Sequence, residues 1–415
     1  MTVINKEKHF KMNRIIEKSI EKLTNSVYKR FEKTALDNQK KVLDAFIDNR
    51  IALRHFSGTS GYGYDDAGRD TLAKVLAQIF GTESAIVSPM ITSGTQAITL
   101  ALFGVLRPGD LVLSITGEPY DTLNDVIFGK NNGSLAEFGI SFENIPLIDG
   151  QIDAELCLKT IAEKHPKMVY IQRSRGYSWR LALSIGQIED ICMKIKQISP
   201  NSIIFCDNCY GEFVESKEPT AVGVDLCAGS FIKNIGGGIA PTGGYVAGKA
   251  HLIEQVAGRL TAPSVGSEVG SYAYGYRLFY QGLFMAPHVV CQALKTAALF
   301  SDVLQSLDYE VLPKADQHFG DIVCSVKLGS ADKVIKFCQA VQFASPVDGY
   351  VSPEPWDMPG YNDQVIMAAG CFVQGSSIEL SCDGPIRPPY IVYLQGGITL
   401  EHGILALEKV LQNLE

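Results

Sequence analysis

Lys233 stands where an apolar run gives way to three glycines, in "LCAGSFIKNIGGG" (residues 226–238). A deprotonated lysine amine is a nucleophile toward aldehydes, so a lysine presented at the end of a buried strand is a candidate covalent anchor. The glycines after it would let the chain turn close to a ligand without obstructing side chains. Ser230 lies three residues earlier and puts a hydroxyl within reach of the same ligand.

Three further segments carry groups that suit a planar, phosphorylated aldehyde. In "ITSGTQAITLAL", Thr92 or Ser93 can cap a helix whose first turn holds Gly94, Thr95 and Gln96. Such a helix start offers unpaired N–H groups to a phosphate, although the same residues also describe an ordinary capped helix. In "SIIFCDNCYGEF", Asp207 directly follows an apolar strand. A carboxylate there is either a turn aspartate or the partner of a protonated pyridine nitrogen, which keeps the ring cationic and able to accept electrons. Tyr120 follows the run "DLVLSIT" and can stack on a ring or pack the rim. A second phosphate motif, "GGYVAGKA", fits G-x-x-x-x-G-K but has Ala250 where a hydroxyl would hold magnesium, which leaves Lys249 as a strand-end lysine.

These residues need a scaffold that brings strand ends together. The runs "DLVLSIT", "MVYIQ", "IIFCD", "LCAGSF" and "GYVAG", several separated by helical patterns such as "SIGQIEDICMKIKQI", predict a mainly parallel sheet covered on both faces. Ligands in such sheets bind beyond the carboxyl ends of the strands. A helical arm is expected over residues 1–55, from "IIEKSIEKL" and "KKVLDAFI". A large α/β domain over 56–285 and a smaller C-terminal α+β domain over 286–415 follow. A chain of 415 residues exceeds the roughly 250–300 at which one core stops growing, so two domains are the expectation.

In chain order, a glycine-containing helix start, an aromatic after the next strand, a strand-end aspartate and a Ser-x-x-Lys before glycines resemble the pyridoxal phosphate site of fold-type I enzymes. The branch resembled is the one that metabolises cystathionine and methionine. The segments "GTSGYGYDDAGRDTLAKVLAQIFG", "VSPMITSGTQAI", "IQRSRGYSWR", "FCDNCYGEF", "SFIKNIGGGIAPTGGYVAGK" and "CDGPIRPPY" look more closely like the methionine γ-lyase-like proteins often labelled aluminium-resistance proteins. The resemblance implies a seven-stranded, mainly parallel sheet with pyridoxal 5'-phosphate as cofactor. It makes Lys233 the Schiff-base lysine, Asp207 the partner of the ring nitrogen and Tyr120 the stacking aromatic. Ser93, Gly94, Thr95 and Ser230 would hold the phosphate. Tyr62 and Tyr64 occupy the region from which a neighbouring subunit reaches the phosphate in related lyases, but without the arginine of the usual Tyr-x-Arg pair.

For the substrate carboxylate the resemblance implies an arginine of the C-terminal domain, and Arg387 in "GPIRPPY" is the candidate, since a guanidinium grips a carboxylate bidentately. Arg173 and Arg175 depart from the family text after "MVYIQ" and read either as surface charges or as a clamp for an anionic group. The implied reaction is β- or γ-elimination from a cystathionine-, cysteine- or methionine-like substrate, through an external aldimine and a carbanion. An aldolase, aminotransferase or decarboxylase would need the same lysine and aspartate, and a non-enzymatic ligand-binding or metal-stress protein is the alternative of another class. A homodimer or homotetramer with shared sites is implied as well.

Composition narrows the partners. A net charge of −8 offers no broad attraction to nucleic acid or anionic membranes. No apolar run approaches the roughly 18–20 residues of a membrane span and the start is charged, which predicts a cytoplasmic protein. Ten cysteines without dense spacing read as reduced thiols, and seven scattered histidines give no metal site.

Overall fold

A computed structural model describes residues 3–358 and 360–414. The larger sheet comprises β1 (Ser84–Ser88), β2 (Leu111–Ser114), β3 (Ser141–Asn144), β4 (Met168–Gln172), β5 (Ile203–Asp207), β6 (Leu226–Ser230) and β7 (Gly244–Gly248). Its order is β1-β7-β6-β5-β4-β2-β3. Only β7 runs against its neighbours, β1 and β6; the other adjacent pairs are parallel. The seven-stranded, mainly parallel sheet expected from the sequence is therefore present. The five apolar runs are β2 and β4 to β7, whereas β3, "SFEN", is a partly exposed edge strand with no apolar run to reveal it.

Side chains alternate between the two faces of a strand, and each face has its own core. In β5, Ile204 and Cys206 join one cluster, with Leu72 and Val75 of the helix Ala67–Phe80 and Ile188 and Ile191 of the helix Ile185–Ile198. Ile203 and Phe205 join the other, with Ile98 and Leu102 of the helix Gly94–Val105 and Val256 of the helix Ala250–Leu260. The same alternation sends Asp207 to the side of Phe205, which is the side where the helix Gly94–Val105 begins.

The second sheet is antiparallel, with strands β8 (Glu310–Leu312), β9 (Val323–Lys327), β10 (Val365–Ala368), β11 (Ser381–Pro385) and β12 (Ile391–Gln395) in the order β10-β11-β12-β9-β8. The helices Ala331–Ala344 and Leu400–Leu414 pack on one another and the former also covers β10 and β11. A 30-residue helix, Arg277–Ser306, runs through position 286 and packs against both the helix Val27–Asp48 and β9. It corrects the expectation that no segment has the length and apolarity of a membrane span. However, 72% of its most apolar window is buried inside the protein, as befits a core helix.

Candidate active site

Beyond β6 the chain enters a short turn, Asn234–Gly236, that holds Lys233 at the strand's carboxyl end. The buried Asn234 fixes this turn to the segment after β5, its Nδ2 donating to the carbonyls of Tyr210 at 2.9 Å and Glu212 at 3.1 Å. That tie brings Tyr210 to the lysine. Lys233 Nζ donates to Tyr210 Oη at 2.7 Å and to Ser377 Oγ at 3.1 Å. Burial opposes the ammonium charge, but the attraction and hydrogen bond of Tyr210, followed by Cys209 and Asp383, raise its pKa to about 12.

Asp207 ends β5 and accepts the backbone N–H of Cys209 at 3.1 Å. Burial pushes its pKa up to about 6, with the Cys209 hydrogen bond and the charge of Lys233 acting in the opposite direction. Asp207 and Lys233 line one cavity of 330 Å³ together with Gly94, Thr95, Tyr120 and Ser230. The volume falls at the lower end of the roughly 300–1,000 Å³ typical of small-ligand sites.

The helix Gly94–Val105 points its start into this cavity. Ser93 is its N-cap, accepting from Gln96 N at 3.0 Å, so its oxygen already serves the helix. The N–H groups of Gly94 and Thr95 lie in the first turn, where no intrahelical acceptor exists. A Cβ on Gly94 would sit 2.9 Å from Cys209 Sγ and 3.5 Å from Ser230 Cβ, so the absence of a side chain is what lets the helix start approach the ends of β5 and β6.

Tyr120 and Tyr361 also line the cavity, and Tyr177, outside the lining, packs against both. The Tyr120 hydroxyl lies 2.6 Å from that of Tyr361, and the Tyr120 ring meets those of Tyr177 and Tyr361 edge-on at 5.8 Å and 6.1 Å. Burial raises the pKa of Tyr120 well above that of a free phenol, followed by the influence of Tyr361 and Tyr210. The segment between β10 and β11, with Ser377, and β11 itself, with Asp383, close the cavity.

Other expected residues lie elsewhere. Arg173 and Arg175 are fully buried and turned into structural networks, which corrects their reading as substrate ligands. Arg173 donates to Asn208 Oδ1 at 2.9 Å, to the Gly211 carbonyl at 2.8 Å and to Glu215 Oε1 at 3.0 Å. Arg175 pairs with Asp321 at 3.0 Å and donates to the Leu312 carbonyl at 2.7 Å. Arg387 lies outside the cavity lining, 42% exposed and paired with Asp363 at 2.8 Å. Tyr62 and Tyr64 are 73% and 63% exposed on the surface of this chain. Lys249 caps β7 and pairs with Asp225 at 2.6 Å.

The glycine run also has a different cause from the one expected. A Cβ on Gly236 would stand 1.8 Å from the Phe231 carbonyl oxygen, and one on Gly237, at φ +57°, 2.6 Å from the Gly282 carbonyl oxygen in the long helix. The turn is thus pressed onto that helix rather than onto the cavity. Tyr210, Ser377, Tyr361 and Asp383 escaped the sequence reading. Tyr210 lies within "FCDNCYGEF" and could have been found by its position three residues after Asp207. Asp383 lies within "CDGPIRPPY", where Arg387 is the expected ligand instead, and Ser377 and Tyr361 come from C-terminal segments with no local motif.

A sequence model of the family described as methionine gamma-lyase matches residues 12–415. This chain belongs to the methionine gamma-lyase family. The uncharacterized protein YnbB of Bacillus subtilis (strain 168) is 49% identical over 380 residues, covering 91% of this chain and 90% of that one. A carbon-sulfur lyase involved in aluminum resistance from Clostridium novyi NT superposes with a TM-score of 0.94 at 48% identity, over 100% of each chain. The pyridoxal-5'-phosphate dependent protein YhfS of Escherichia coli matches in fold alone, at a TM-score of 0.62 and 15% identity over 91% of this chain and 96% of that one. The family member described here has the fold-type I architecture of pyridoxal phosphate enzymes.

Proposed function

We propose that this protein is a pyridoxal phosphate-dependent carbon–sulfur lyase that eliminates a sulfur group from a cystathionine-, cysteine- or methionine-like amino acid. The observation that carries the reading is the convergence of the Lys233 amine and the Asp207 carboxylate on one cavity at the start of the helix Gly94–Val105. An aldehyde, a ring nitrogen and a phosphate need these three groups. When bound, the cofactor supplies an electron sink for charge developing at the substrate α-carbon.

The residues supply the rest. The first-turn N–H groups of Gly94 and Thr95, with the Ser230 hydroxyl, offer donors to the phosphate. With the cofactor bound, Asp207 would face the ring nitrogen and keep it protonated, and Tyr120 would offer its ring for stacking. Once displaced by substrate, the Lys233 amine takes the α-proton, and Tyr210 and Ser377 orient it through their hydroxyls. Tyr120 is held in its neutral, proton-bearing form by burial and so is equipped to donate to a departing thiolate. The reading extends to a second copy, for which the exposed Tyr62 and Tyr64, whose rings lie 5.6 Å apart, are the proposed contact.

The test is turnover. The protein loaded with pyridoxal phosphate should release thiol and keto acid from at least one of L-cystathionine, L-cysteine and L-methionine, and Lys233→Ala should release neither. Aldehyde from L-threonine without turnover of any sulfur substrate would instead indicate an aldolase.

A further inference from the structure

Arg173 follows β4 and is fully buried, yet it is no part of the cavity lining, whereas Gln172 and Ser174 on either side of it are. Its backbone N–H donates to the Asp207 carbonyl at 3.1 Å. Its guanidinium reaches the turn that follows β5, donating to Asn208 Oδ1 at 2.9 Å and to the Gly211 carbonyl at 2.8 Å. A Cβ on Gly211 would stand 2.6 Å from the Arg173 side chain, so this glycine makes room for the guanidinium. Behind it, Asn208 Nδ2 donates to the buried Glu218, whose other carboxylate oxygen accepts the Phe213 N–H, each at 2.9 Å.

Between the two anchors of the guanidinium lie Cys209 and Tyr210, the residues through which the turn touches the site. The Cys209 N–H donates to Asp207, and Tyr210 Oη accepts from Lys233. Tyr210 has φ +70° and Phe213 φ +60°, left-handed conformations that a residue with a Cβ holds only where its surroundings impose them. Arg173, Glu218 and Asn234 are the side chains that bond this turn from outside it.

We propose that Arg173 is a positioning residue: by bonding Asn208 and Gly211 on either side of Tyr210, it holds the Tyr210 hydroxyl on the Lys233 amine. The inference rests on the reading of Lys233 as the reacting amine. A forked guanidinium holds both anchors at once. A lysine ammonium would keep the charge facing Glu215 and Glu218 but lacks that fork.

The test reads the amine without cofactor or turnover. In the cofactor-free protein, trace acetylation by acetic anhydride at pH 9, followed by peptide mass spectrometry, measures the free-amine fraction of Lys233 against the exposed Lys130. Tyr210 favours the ammonium, so Tyr210→Phe should raise Lys233 labelling roughly 10-fold, the equivalent of about one pH unit. Arg173→Lys should raise it by a comparable factor and add nothing in the Tyr210→Phe background, since both changes remove one contact. Asn208→Ala, which leaves Arg173 in place, should do the same and carries the test if Arg173→Lys does not fold. Asp207, Asp383, Cys209 and Cys371 also face the amine and are common to all these variants. In turnover, Arg173→Lys should lower kcat roughly 10- to 100-fold at unchanged KM. Labelling that changes as stated in a protein that cleaves no sulfur substrate would end the lyase reading and leave the positioning role standing. Unchanged labelling in Arg173→Lys and Asn208→Ala, or an effect of Arg173→Lys that adds to that of Tyr210→Phe, would overturn the proposal.

Discussion

The carboxylate of Asp207 is costly to the empty protein and necessary to the proposed chemistry. Its pKa in the fold, about 6, exceeds the reference value of 3.8 because burial disfavours its charge. Between those values the folded protein binds the proton more tightly than the unfolded chain does. Stability therefore falls as pH rises through the window, and the cost is fully present above about pH 6. Asp207→Asn should stabilise the cofactor-free protein at pH 7.5 by on the order of 2 kcal/mol, with no gain below about pH 4, while abolishing turnover. Thermal melts at the two pH values check this, and a destabilised variant at pH 7.5 would contradict it. Lys233, Asp207 and Tyr120 were legible because each follows an apolar run at the sheet's carboxyl edge. Ser377 was not, because its segment reaches the cavity through long-range packing that no local pattern records, and Asp383 was passed over within "CDGPIRPPY" because the arginine there offered the more familiar carboxylate ligand.

At the scale of elements, the buried pair of Arg175 and Asp321 joins the loop after β4 to the start of β9, across 146 residues of sequence. Two arginines after a strand read as a substrate clamp only because their partners were invisible at that separation. Arg175→Ala should lose about 3–5 kcal/mol of stability, the cost of leaving a buried carboxylate unpaired, with KM unchanged in the folded fraction. Denaturant melts alongside kinetics separate the two readings; a raised KM at unchanged stability would return Arg175 to the site. The glycine turn is likewise a packing element. Gly236→Ala should destabilise by roughly 1–3 kcal/mol through overpacking against the Phe231 carbonyl, without direct loss of a ligand contact. The strand ends were predictable from their apolar runs, but the helix that presses on this turn comes from a segment beginning at Arg277 and left no mark near Gly236.

For the whole molecule, the alternation of strands and helices sufficed to give the parallel sheet, and the edge strand β3 and the small sheet's register exceeded what the pattern carries. In the small sheet, β11 runs from Ser381 to Pro385 and so delivers Asp383 to the cavity. The exposed pair Tyr62 and Tyr64 is the proposed contact with a second copy. Light scattering should return a multiple of 45.2 kDa, and charged replacements at Tyr62 and Tyr64 should shift it toward that mass. The central claim is that this fold exists to hold an aldehyde cofactor on Lys233. Borohydride reduction of the yellow, cofactor-loaded protein followed by peptide mass spectrometry tests it most directly. The reduced adduct is predicted on the peptide containing Lys233 and on no other; a protein that takes up no pyridoxal phosphate, or an adduct on a different lysine, would contradict the account.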